Sequence, residues 1–420
     1  MRIVHINTMM LGGAAKAMTR LHEGLLAAGS DSVILTQDGI GGSSAAFRAG
    51  LRGKIANQLL HRMDIMPLRL FPRRQASEFN LQWVPGRVLR KLDMLKPDIV
   101  HLHWICRSFL RVEDLRRIDC PIVWTMHDSW PFTGGCNVPF ECVRYREGCG
   151  RCPQLGSPIL HDLSWWLWRR KSKAWRDVAM TAVSPSRWLG TCAASSPLLA
   201  GKDLLVIPNG LDLEAFQPFD KRQARRALRL PQDKTLLLFG GIMATADRNK
   251  GFQFIKPALE ETSRHIDPSS LELVVVGEAA SRDSADIGIP VRFIGALQDN
   301  VSMGLLYSAV DATVLPSLQE SFGQMAAESL ACGIPVVAFN ATGFRDIVEH
   351  GVNGYLAAPY DAADLGAGIA DVLTHSDKAA MSQAARDKAT REYGQDRMAE
   401  RYAAIYKELN ASHGKTPYAS

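Results

Sequence analysis

Short runs rich in β-branched residues alternate with helix-like stretches along almost the whole chain, and this alternation constrains the fold more than any other feature. The runs, in chain order, are RIVHI, DSVILT, PDIVHLHW, PIVWTMH, MTAVS, DLLVIP, TLLLFG, LELVVVG, VRFIG, DATVLP and IPVVAF. Strands that alternate with helices form parallel sheets whose two faces are both covered. The sequence therefore predicts an α/β fold built from doubly wound parallel sheets.

A turn-rich segment, residues 207–220, divides the eleven runs into six and five, and open sheets rarely exceed about ten strands. We therefore predict two Rossmann-like domains, over residues 1–206 and 221–390, with the segment as a linker and a ligand cleft between the domains. A C-terminal helix over residues 391–409 could return to the first domain. Residues 410–420 are predicted to be a disordered tail.

Charge is distributed unevenly along the 420 residues, whose formal net charge is +6. Residues 1–200 carry 27 Lys and Arg against 15 Asp and Glu, and the remaining 220 residues carry 22 against 28. A basic half can face nucleic acid, an anionic lipid surface or a phosphorylated substrate, or can simply keep the protein in solution. Because the second half is acidic, DNA is disfavoured, and we predict no nucleic-acid partner.

The chain shows no apolar run that approaches the length of a membrane span, and its first ten residues resemble a core strand rather than a secretory signal. We therefore predict a cytoplasmic protein. Its eight cysteines would stay reduced there, so a cysteine cluster indicates metal binding or catalysis before it indicates disulfides.

Loops that follow the carboxyl ends of parallel strands form the ligand crevice of such folds, so the residues in those loops are the candidate site residues. After the first run, Gly12 and Gly13 let the backbone approach a ligand closely and open a helix whose free N–H groups favour an anion. The run PIVWTMH ends at His127 and Asp128, which places an imidazole at the crevice. Each feature alone is also compatible with an ordinary turn or loop.

The second half carries stronger signals after its first and fourth runs. Arg248 and Lys250 follow LLLFGG and precede a helix start, a combination suited to a diphosphate. Glu320 lies in the turn after DATVLPS, and Glu328 lies about two turns into the following helix. Carboxylates only accept hydrogen bonds, and sugar hydroxyls donate them, so the two glutamates predict binding of two rings separated by a diphosphate.

These motifs resemble those of the retaining glycosyltransferases of family 4, whose fold is called GT-B. The resemblance rests on ESFGQMAAESLACGIPVVAF, VIPNGLDLEAFQP, LGGAAKA, RNKGF and TMHD, which cover most of the chain. It implies transfer of a hexose from a nucleotide diphosphate sugar to an acceptor hydroxyl, without a metal in catalysis. No Asp-x-Asp pair is present, which agrees with that implication.

The resemblance also implies roles for individual residues. His127 and Glu320 would be catalytic, and Glu320 would contact the transferred sugar. The sugar donor would be bound by these residues: Gly12, Gly13, Arg248, Lys250, Ser321, Phe322, Gly323 and Glu328. Glu328 would hold the nucleotide ribose. The family often has Gly-Arg where this chain has Gly240-Gly241, and Arg248 is predicted to replace that arginine.

The stretches PDIVHLHW, TMHDSWPFTGGC and CGRCPQLGSP further resemble members that build bacterial exopolysaccharides of the colanic acid type. They imply a lipid-linked oligosaccharide as the acceptor. Alternatives are another enzyme of the same architecture, such as a nucleotide-sugar epimerase or a phosphorylase, and a non-catalytic protein that binds nucleotide sugars. A hydrolase with two catalytic carboxylates is disfavoured, because both glutamates leave one helix start.

Four cysteines, Cys136, Cys142, Cys149 and Cys152, lie within seventeen residues and include a C-x2-C knuckle. Four thiolates at such spacings can surround one structural zinc ion, so the sequence predicts a zinc site, with four unliganded thiols as the alternative.

Two stretches combine aromatic or aliphatic residues with cations and predict docking of the first half on an anionic membrane. The first contains Trp165, Trp166, Trp168 and Trp175 among Arg169, Arg170, Lys171 and Lys173. The second places Phe47, Leu51, Ile55 and Leu59 on one helical face. The alternative for both is a helix whose apolar residues belong to the core.

Overall fold

The computed structural model describes residues 1–37, 39–41, 51–75, 77–86, 88–277, 287–297 and 299–413. It consists of two compact units. The first comprises Met1–Pro208 together with the chain from Asp396, and the second comprises Asn209–Gln395. The predicted linker thus belongs to the second unit from its third residue onward.

Among the described residues, the first unit holds a sheet of seven strands in the order β3-β2-β1-β4-β5-β6-β7. The strands are β1 (Arg2–Ile6), β2 (Asp31–Leu35), β3 (Ile40–Gly41), β4 (Ile99–Leu102), β5 (Ile122–Thr125), β6 (Met180–Ser184) and β7 (Asp203–Val206). All neighbours pair in parallel except β3, which runs antiparallel to β2.

The second unit holds a parallel sheet of six strands within its described residues, in the order β10-β9-β8-β11-β12-β13. The strands are β8 (Thr235–Gly240), β9 (Leu271–Val276), β10 (Val291–Gly295), β11 (Ala312–Leu315), β12 (Val336–Phe339) and β13 (Gly354–Ala357). The predicted α/β class of two doubly wound parallel sheets is confirmed, and all eleven predicted strands are present. The prediction did not include β3 or β13.

Helices connect the strands in both units. They are α1 (Gly12–Ala27), α2 (Leu51–Asp64), α3 (Val88–Leu95), α4 (Leu163–Trp175), α5 (Arg187–Ala194), α6 (Lys221–Ala227), α7 (Ile255–Thr262), α8 (Asn300–Ala309), α9 (Gln324–Ala331), α10 (Phe344–Ile347), α11 (Ala362–Thr374), α12 (Lys378–Glu392) and α13 (Gln395–His413). Short 3-10 turns include Arg248–Lys250 and Phe252–Phe254. No helix within the described ranges is long and apolar enough to cross a bilayer.

Burial on both faces explains why the strands read as continuous apolar runs rather than as alternating ones. Every residue of β4, β5 and β6 is buried. One face of the first sheet packs into a core that contains Val100, Leu102 and Trp124, and the other face packs against α1 and α13. The side chains that α13 contributes to that second core include Tyr402 and Tyr406.

The C-terminal helix ends later than predicted, because α13 continues to His413. The prediction of a disordered tail is therefore wrong for residues 410–413, and residues 414–420 lie outside the described ranges. The helix is anchored by two buried hydroxyls. Tyr402 Oη lies 2.6 Å from Thr125 Oγ1, and Tyr406 Oη lies 2.6 Å from His101 Nδ1.

The membrane-docking prediction is wrong for part of the tryptophan-rich helix α4. Trp175 and Lys171 are buried in the core, so neither can reach a lipid surface. Arg170 pairs with Glu113 at 2.7 Å and stacks on Trp166, which keeps 42% of its surface exposed. The alternative of a packed helix is therefore correct for the buried face of α4.

Helix α2 presents apolar side chains to solvent. Ile55 and Leu59, one turn apart, are 57% and 58% exposed, and Met63, one turn further, is 47% exposed. Phe47 and the side chain of Leu51, which were predicted to share this face, lie outside the described part of the chain.

Candidate active site

In each sheet the strand order reverses beside the strand that begins the unit. In the second sheet β8 lies between β9 and β11, so the loops after β8 and β11 flank the reversal point. Ligands of open α/β sheets bind at such points, outside the carboxyl ends of the strands. Lys250 follows β8 and Glu320 follows β11, so the topology brings these two predicted site residues to one edge of the sheet.

The two side chains form an ion pair. Lys250 Nζ donates to Glu320 Oε1 at 2.7 Å, and the side chains are 25% and 22% exposed. Burial lowers the pKa of Lys250, but the charge of Glu320 and its hydrogen bond outweigh that effect and raise the pKa above its ordinary value. The amine is therefore held as a cation, with a carboxylate beside it, at the reversal point of the sheet.

The backbone around the pair is closely fitted. Gly251 has φ +79°, and a Cβ at that position would lie 1.9 Å from the carbonyl oxygen of Pro316. Asn249 Nδ2 donates to the carbonyl of Gln319 at 2.9 Å, and the N–H of Leu318 donates to the carbonyl of Asn249 at 2.8 Å. Because the two loops are hydrogen-bonded to each other, the ion pair sits on a fixed support.

Gly241 and Arg248 bear on the predicted diphosphate site. A Cβ on Gly241 would lie 3.3 Å from Lys250 Cε, so a glycine here leaves room for the stem of the lysine. Arg248 is exposed, and no residue of the described ranges forms an ion pair with its guanidinium. The structure thus brings Lys250, but not Arg248, into contact with Glu320.

The predicted anion site at the start of α9 is built around a left-handed glycine. Gly323 has φ +105°, and a Cβ there would lie 2.9 Å from the Phe344 ring. Phe322 is buried and meets the Tyr393 ring edge to face, with ring centres 5.6 Å apart. Ser321 precedes both and is partly buried. The turn is therefore anchored by aromatic packing below it.

Glu328 lies deeper than its predicted role suggests. Only 1% of the residue is exposed, and its Oε2 accepts a hydrogen bond from Tyr307 Oη at 2.9 Å. The carboxylate is thus fixed from within the unit by a neighbouring helix.

In the first unit, the predicted glycine loop lies after β1. Helix α1 begins at Gly12, which has φ +87°, and no atom of the described ranges lies within 4 Å of a Cβ added there. Gly13 is exposed in the first turn of the same helix. The residue before them, Leu11, is 73% exposed. The start of the helix is therefore open on its outer side.

His127 follows β5 and ends a chain of three hydrogen-bonded histidines. His127 Nε2 lies 2.9 Å from His103 Nδ1, and His103 Nε2 lies 3.1 Å from His5 Nδ1. His5 and His103 are buried, and His127 is half-buried. Burial lowers the pKa of His5 to about 3, that of His127 to about 4, and that of His103 well below its ordinary value. The three rings are therefore neutral at pH 7.

The surroundings of His5 determine which nitrogen donates in each of these hydrogen bonds. His5 Nε2 is buried and has no hydrogen-bond partner among the residues that the structure describes. A buried N–H without a partner is rarer and costlier than an unfilled acceptor, so His5 Nε2 carries a lone pair. Each hydrogen bond then points outward: His5 donates to His103, and His103 donates to His127. His127 consequently presents its remaining proton at Nδ1.

Asp128 is held by three donors. Its carboxylate accepts from Trp104 Nε1 at 2.9 Å, from Asn137 Nδ2 at 2.7 Å and from the N–H of Trp130 at 2.8 Å. Burial nevertheless raises its pKa to about 7. These hydrogen bonds join the loops after β4 and β5, so they hold the segment that carries His127 in place.

Sequence reasoning missed His5, His101 and His103. The signal was present, because PDIVHLHW places two histidines on one side of β4, and β1 pairs with β4 so that His5 stands opposite His101. The three rings bring metal-ligating nitrogens within 4.8 Å of one another. Both nitrogens of His101 are already bonded, to Thr125 and Tyr406.

Two sequence families match the chain. The family described as "Glycosyltransferase Family 4" matches residues 11–215, and "Glycosyl transferases group 1" matches residues 220–388. Similar curated proteins include a D-inositol 3-phosphate glycosyltransferase of Thermobispora bispora, 32% identical over 79% of this chain and 76% of that protein. The enzyme of the same name from Xylanimonas cellulosilytica is 34% identical over 74% and 72%.

Solved structures share the fold. The sucrose-phosphate synthase of Thermosynechococcus elongatus superposes with a TM-score of 0.71 and 20% identity, over 98% of this chain and 99% of that one. Anabaena HepE in complex with UDP-glucose gives a TM-score of 0.62 and 16% identity, over 97% and 99%. At these identities the likeness supports the GT-B architecture alone.

Proposed function

This chain belongs to the glycosyltransferases of group 1 and family 4, and from that membership we propose that it moves a hexose from a nucleotide diphosphate sugar to a hydroxyl of an acceptor saccharide, with retention at the anomeric carbon. The observation that carries the proposal is the Lys250–Glu320 pair at the reversal point of the second sheet.

The pair suits the difficult step of the reaction. When the sugar leaves, negative charge collects on the diphosphate, and fixed positive groups that meet this charge lower the barrier. Lys250, exposed Arg248 and the N–H groups of Ser321, Phe322 and Gly323 would supply them. Protein groups would then replace a catalytic metal. Glu320 would accept hydrogen bonds from hydroxyls of the transferred sugar.

The other predicted residues take supporting roles in this proposal. Glu328 would meet the ribose hydroxyls, a role that requires the side chains around it to open, because it is buried. Gly12 and Gly13 would let the helix start of α1 approach the sugar donor. His127 would present its Nδ1 proton to an oxygen of the sugar or of the acceptor.

For the acceptor we propose a lipid-linked saccharide of exopolysaccharide or cell-surface polysaccharide synthesis, as the resemblance to colanic acid enzymes implies. The second candidate is a phosphorylated cyclitol, because two curated relatives that align over 76% and 72% of their length are D-inositol 3-phosphate glycosyltransferases. Both acceptors carry phosphate, which agrees with the basic balance of residues 1–200.

A lipid-linked acceptor places the enzyme at a membrane surface, and α2 is the candidate contact. Its exposed Ile55, Leu59 and Met63 lie on a helix that also carries Arg62. An amphipathic helix with such a face binds anionic bilayers peripherally. Ile55→Glu with Leu59→Glu should reduce sedimentation with phosphatidylglycerol vesicles. Equal sedimentation of the wild type and this variant would contradict the contact.

Two measurements test the proposed reaction. A thermal-shift screen of nucleotide sugars should identify a sugar donor that stabilises the protein in proportion to its occupancy. That compound, labelled in its sugar, is then incubated with lipid-linked saccharides and with inositol phosphates. Label in a lipid extract supports the first acceptor, and label in a water-soluble cyclitol product supports the second. Interconversion of the sugar without any acceptor would indicate an epimerase, and dependence on free phosphate would indicate a phosphorylase.

A further inference from the structure

A separate feature of the first unit lies in the loop between β5 and α4. Cys136, Cys142, Cys149 and Cys152 all line one small cavity there, together with Gly134 and Gly150. The cavity measures about 20 Å³, which is room for roughly one water-sized body. None of the four cysteines is in a disulfide. Four cysteines thus line a space with room for about one small ion.

The backbone is shaped around these thiols. Cys149 and Arg151 both have positive φ, +61° and +45°, which is uncommon for residues with side chains. Gly150 between them has φ +94°, and a Cβ there would lie 2.0 Å from the carbonyl oxygen of Leu160. The N–H of Gly134 donates to Cys149 Sγ at 3.2 Å. Burial outweighs this donor and raises the pKa of the Cys149 thiol to about 12, so a bound metal ion would have to displace its proton.

A buried lysine lies beside the cavity. Lys171 is fully buried, and its Nζ donates to the carbonyl oxygens of Trp130 and Thr133, the latter at 3.1 Å. Thr133 also lines the cavity, and its hydroxyl donates to the carbonyl of Cys136 at 2.7 Å. No carboxylate in the described ranges forms an ion pair with Lys171. Burial lowers the pKa of this amine to about 7, so an anionic group close by would stabilise its charged form.

We propose that Cys136, Cys142, Cys149 and Cys152 hold one structural zinc ion. A zinc ion with four thiolates carries net negative charge, which would balance Lys171, and four-cysteine sites with all positions filled by protein are structural. The sulfurs must move inward to bind, because no three of them lie within 4.8 Å of one another in the described structure. The cavity provides the space for that movement.

The tighter histidine cluster is a weaker candidate for a metal. A metal between His5, His101 and His103 would break hydrogen bonds to buried partners, since His101 and His103 already use both ring nitrogens. The four cysteines, by contrast, line a cavity that a metal ion could occupy. The inference is independent of which sugar the enzyme transfers.

A zinc ion here would brace the active-site segment. Asn137, next to Cys136, donates to the carboxylate of Asp128, whose neighbour is His127. Asp162, which caps α4, accepts from the N–H of Cys152 at 2.8 Å. The metal would therefore tie the loop after β5 to the start of α4.

The first test uses the full-length wild-type protein, purified without chelator. Elemental analysis should give about one zinc per chain, and a thiol-specific mercurial should release it into a colorimetric zinc indicator. Cobalt substitution should produce the intense absorption of a tetrahedral cobalt thiolate. Absence of zinc, with no uptake of added zinc by the reduced protein, would overturn the proposal. So would bound iron or two disulfides in place of the zinc.

The second test uses variants. Cys149→Ser and Cys152→Ser should lose the zinc and lower the melting temperature by on the order of 5 °C. Cys120→Ser is the matched control, since Cys120 is a partly buried cysteine of the same unit outside the cluster. Retention of a full zinc equivalent in both cluster variants would refute the assignment. If neither variant folds, the wild-type zinc content and the cobalt spectrum still decide.

Discussion

Both units carry candidate functional groups beyond the carboxyl ends of their strands, but they build them from different chemistry. The second unit uses opposite charges, Lys250 and Glu320, on two loops that are hydrogen-bonded to each other. The first uses neutral imidazoles that reach from the core of the sheet to His127. The charged pair can meet a charged leaving group, whereas the neutral chain can direct a single proton. We therefore expect the two units to lose activity or stability under different perturbations.

The largest expected effect comes from removing the charge in the second unit. Lys250→Met should lower kcat by about 10²- to 10³-fold, because a preorganised group that meets developing charge contributes on the order of 3–4 kcal/mol to the barrier. Steady-state kinetics measures this. Arg264→Met is the control, since it removes a cation from the exposed pair with Glu261 in the same unit. A Lys250→Met enzyme with unchanged kcat would remove the pair from the mechanism.

Acid should affect the first unit before the second. Its buried imidazoles have pKa values below 6.5 in the folded state, so only the unfolded chain takes up protons as the pH falls below 6.5. Stability is then lost down to about pH 3–4, and His5 alone accounts for on the order of 2–4 kcal/mol by pH 4. Asp128, whose pKa is raised to about 7, makes the opposite contribution, because its effect on the free energy of unfolding becomes more favourable as the pH falls. It is a single group, and the buried histidines outnumber it.

Hydrogen exchange between pH 7 and pH 4.5 tests this difference. Amides of β4 and β5 should lose protection, while those of β11 and β12 should change less, because no histidine is buried among the described residues of the second unit. Uniform loss of protection in both sheets would contradict the comparison.

The smallest expected effect comes from interrupting the histidine chain. His103→Phe removes the hydrogen bonds to both neighbours and should lower kcat by about 10-fold, since an unpaired buried group costs on the order of 1–3 kcal/mol. The acidic limb of the pH profile of kcat should shift as well, because His127 loses the partner that fixes its tautomer. His103→Gln, which can still donate and accept, should restore part of the activity.

His22→Phe provides the matched control for this variant. His22 is a buried imidazole of the same unit. It forms a hydrogen bond with Ser32 rather than with His5, His103 or His127. This variant should lose stability without shifting the pH profile. An equal shift in both variants would show that His103 acts only through the stability of the core.

Much of the fold could be predicted from the sequence, because the hydrophobic pattern of a strand or helix is local. Eleven strands were predicted from apolar runs, and Lys250 and Glu320 were chosen because they follow such runs. The strand Gly354–Ala357 was missed, since its four residues sit among turn signals. That Lys250 and Glu320 contact each other could not be read from the sequence, because their contact depends on the order of β8 and β11 in the sheet.

Lys171 and Trp175 show a different limit. Both lie on the stripe of α4 that also buries Ser164, Leu167 and Ala174, a helical spacing that was available beforehand. Lysine is rarely fully buried, so composition favoured a solvent-facing cation. Lys171 can be buried because its amine donates to the carbonyls of Trp130 and Thr133, which come from another part of the chain. Such partners are non-local, and a single sequence does not reveal them.

Helix α13 belongs to the unit that begins at Met1, although the whole second unit separates them along the chain. Synthesis proceeds from the N-terminus, so the sheet made first is finished last, when Tyr402 and Tyr406 leave the ribosome and reach Thr125 and His101. Until then one face of that sheet is covered by α1 but lacks α13. A nascent chain stalled before residue 395 should therefore expose an apolar surface that attracts chaperones.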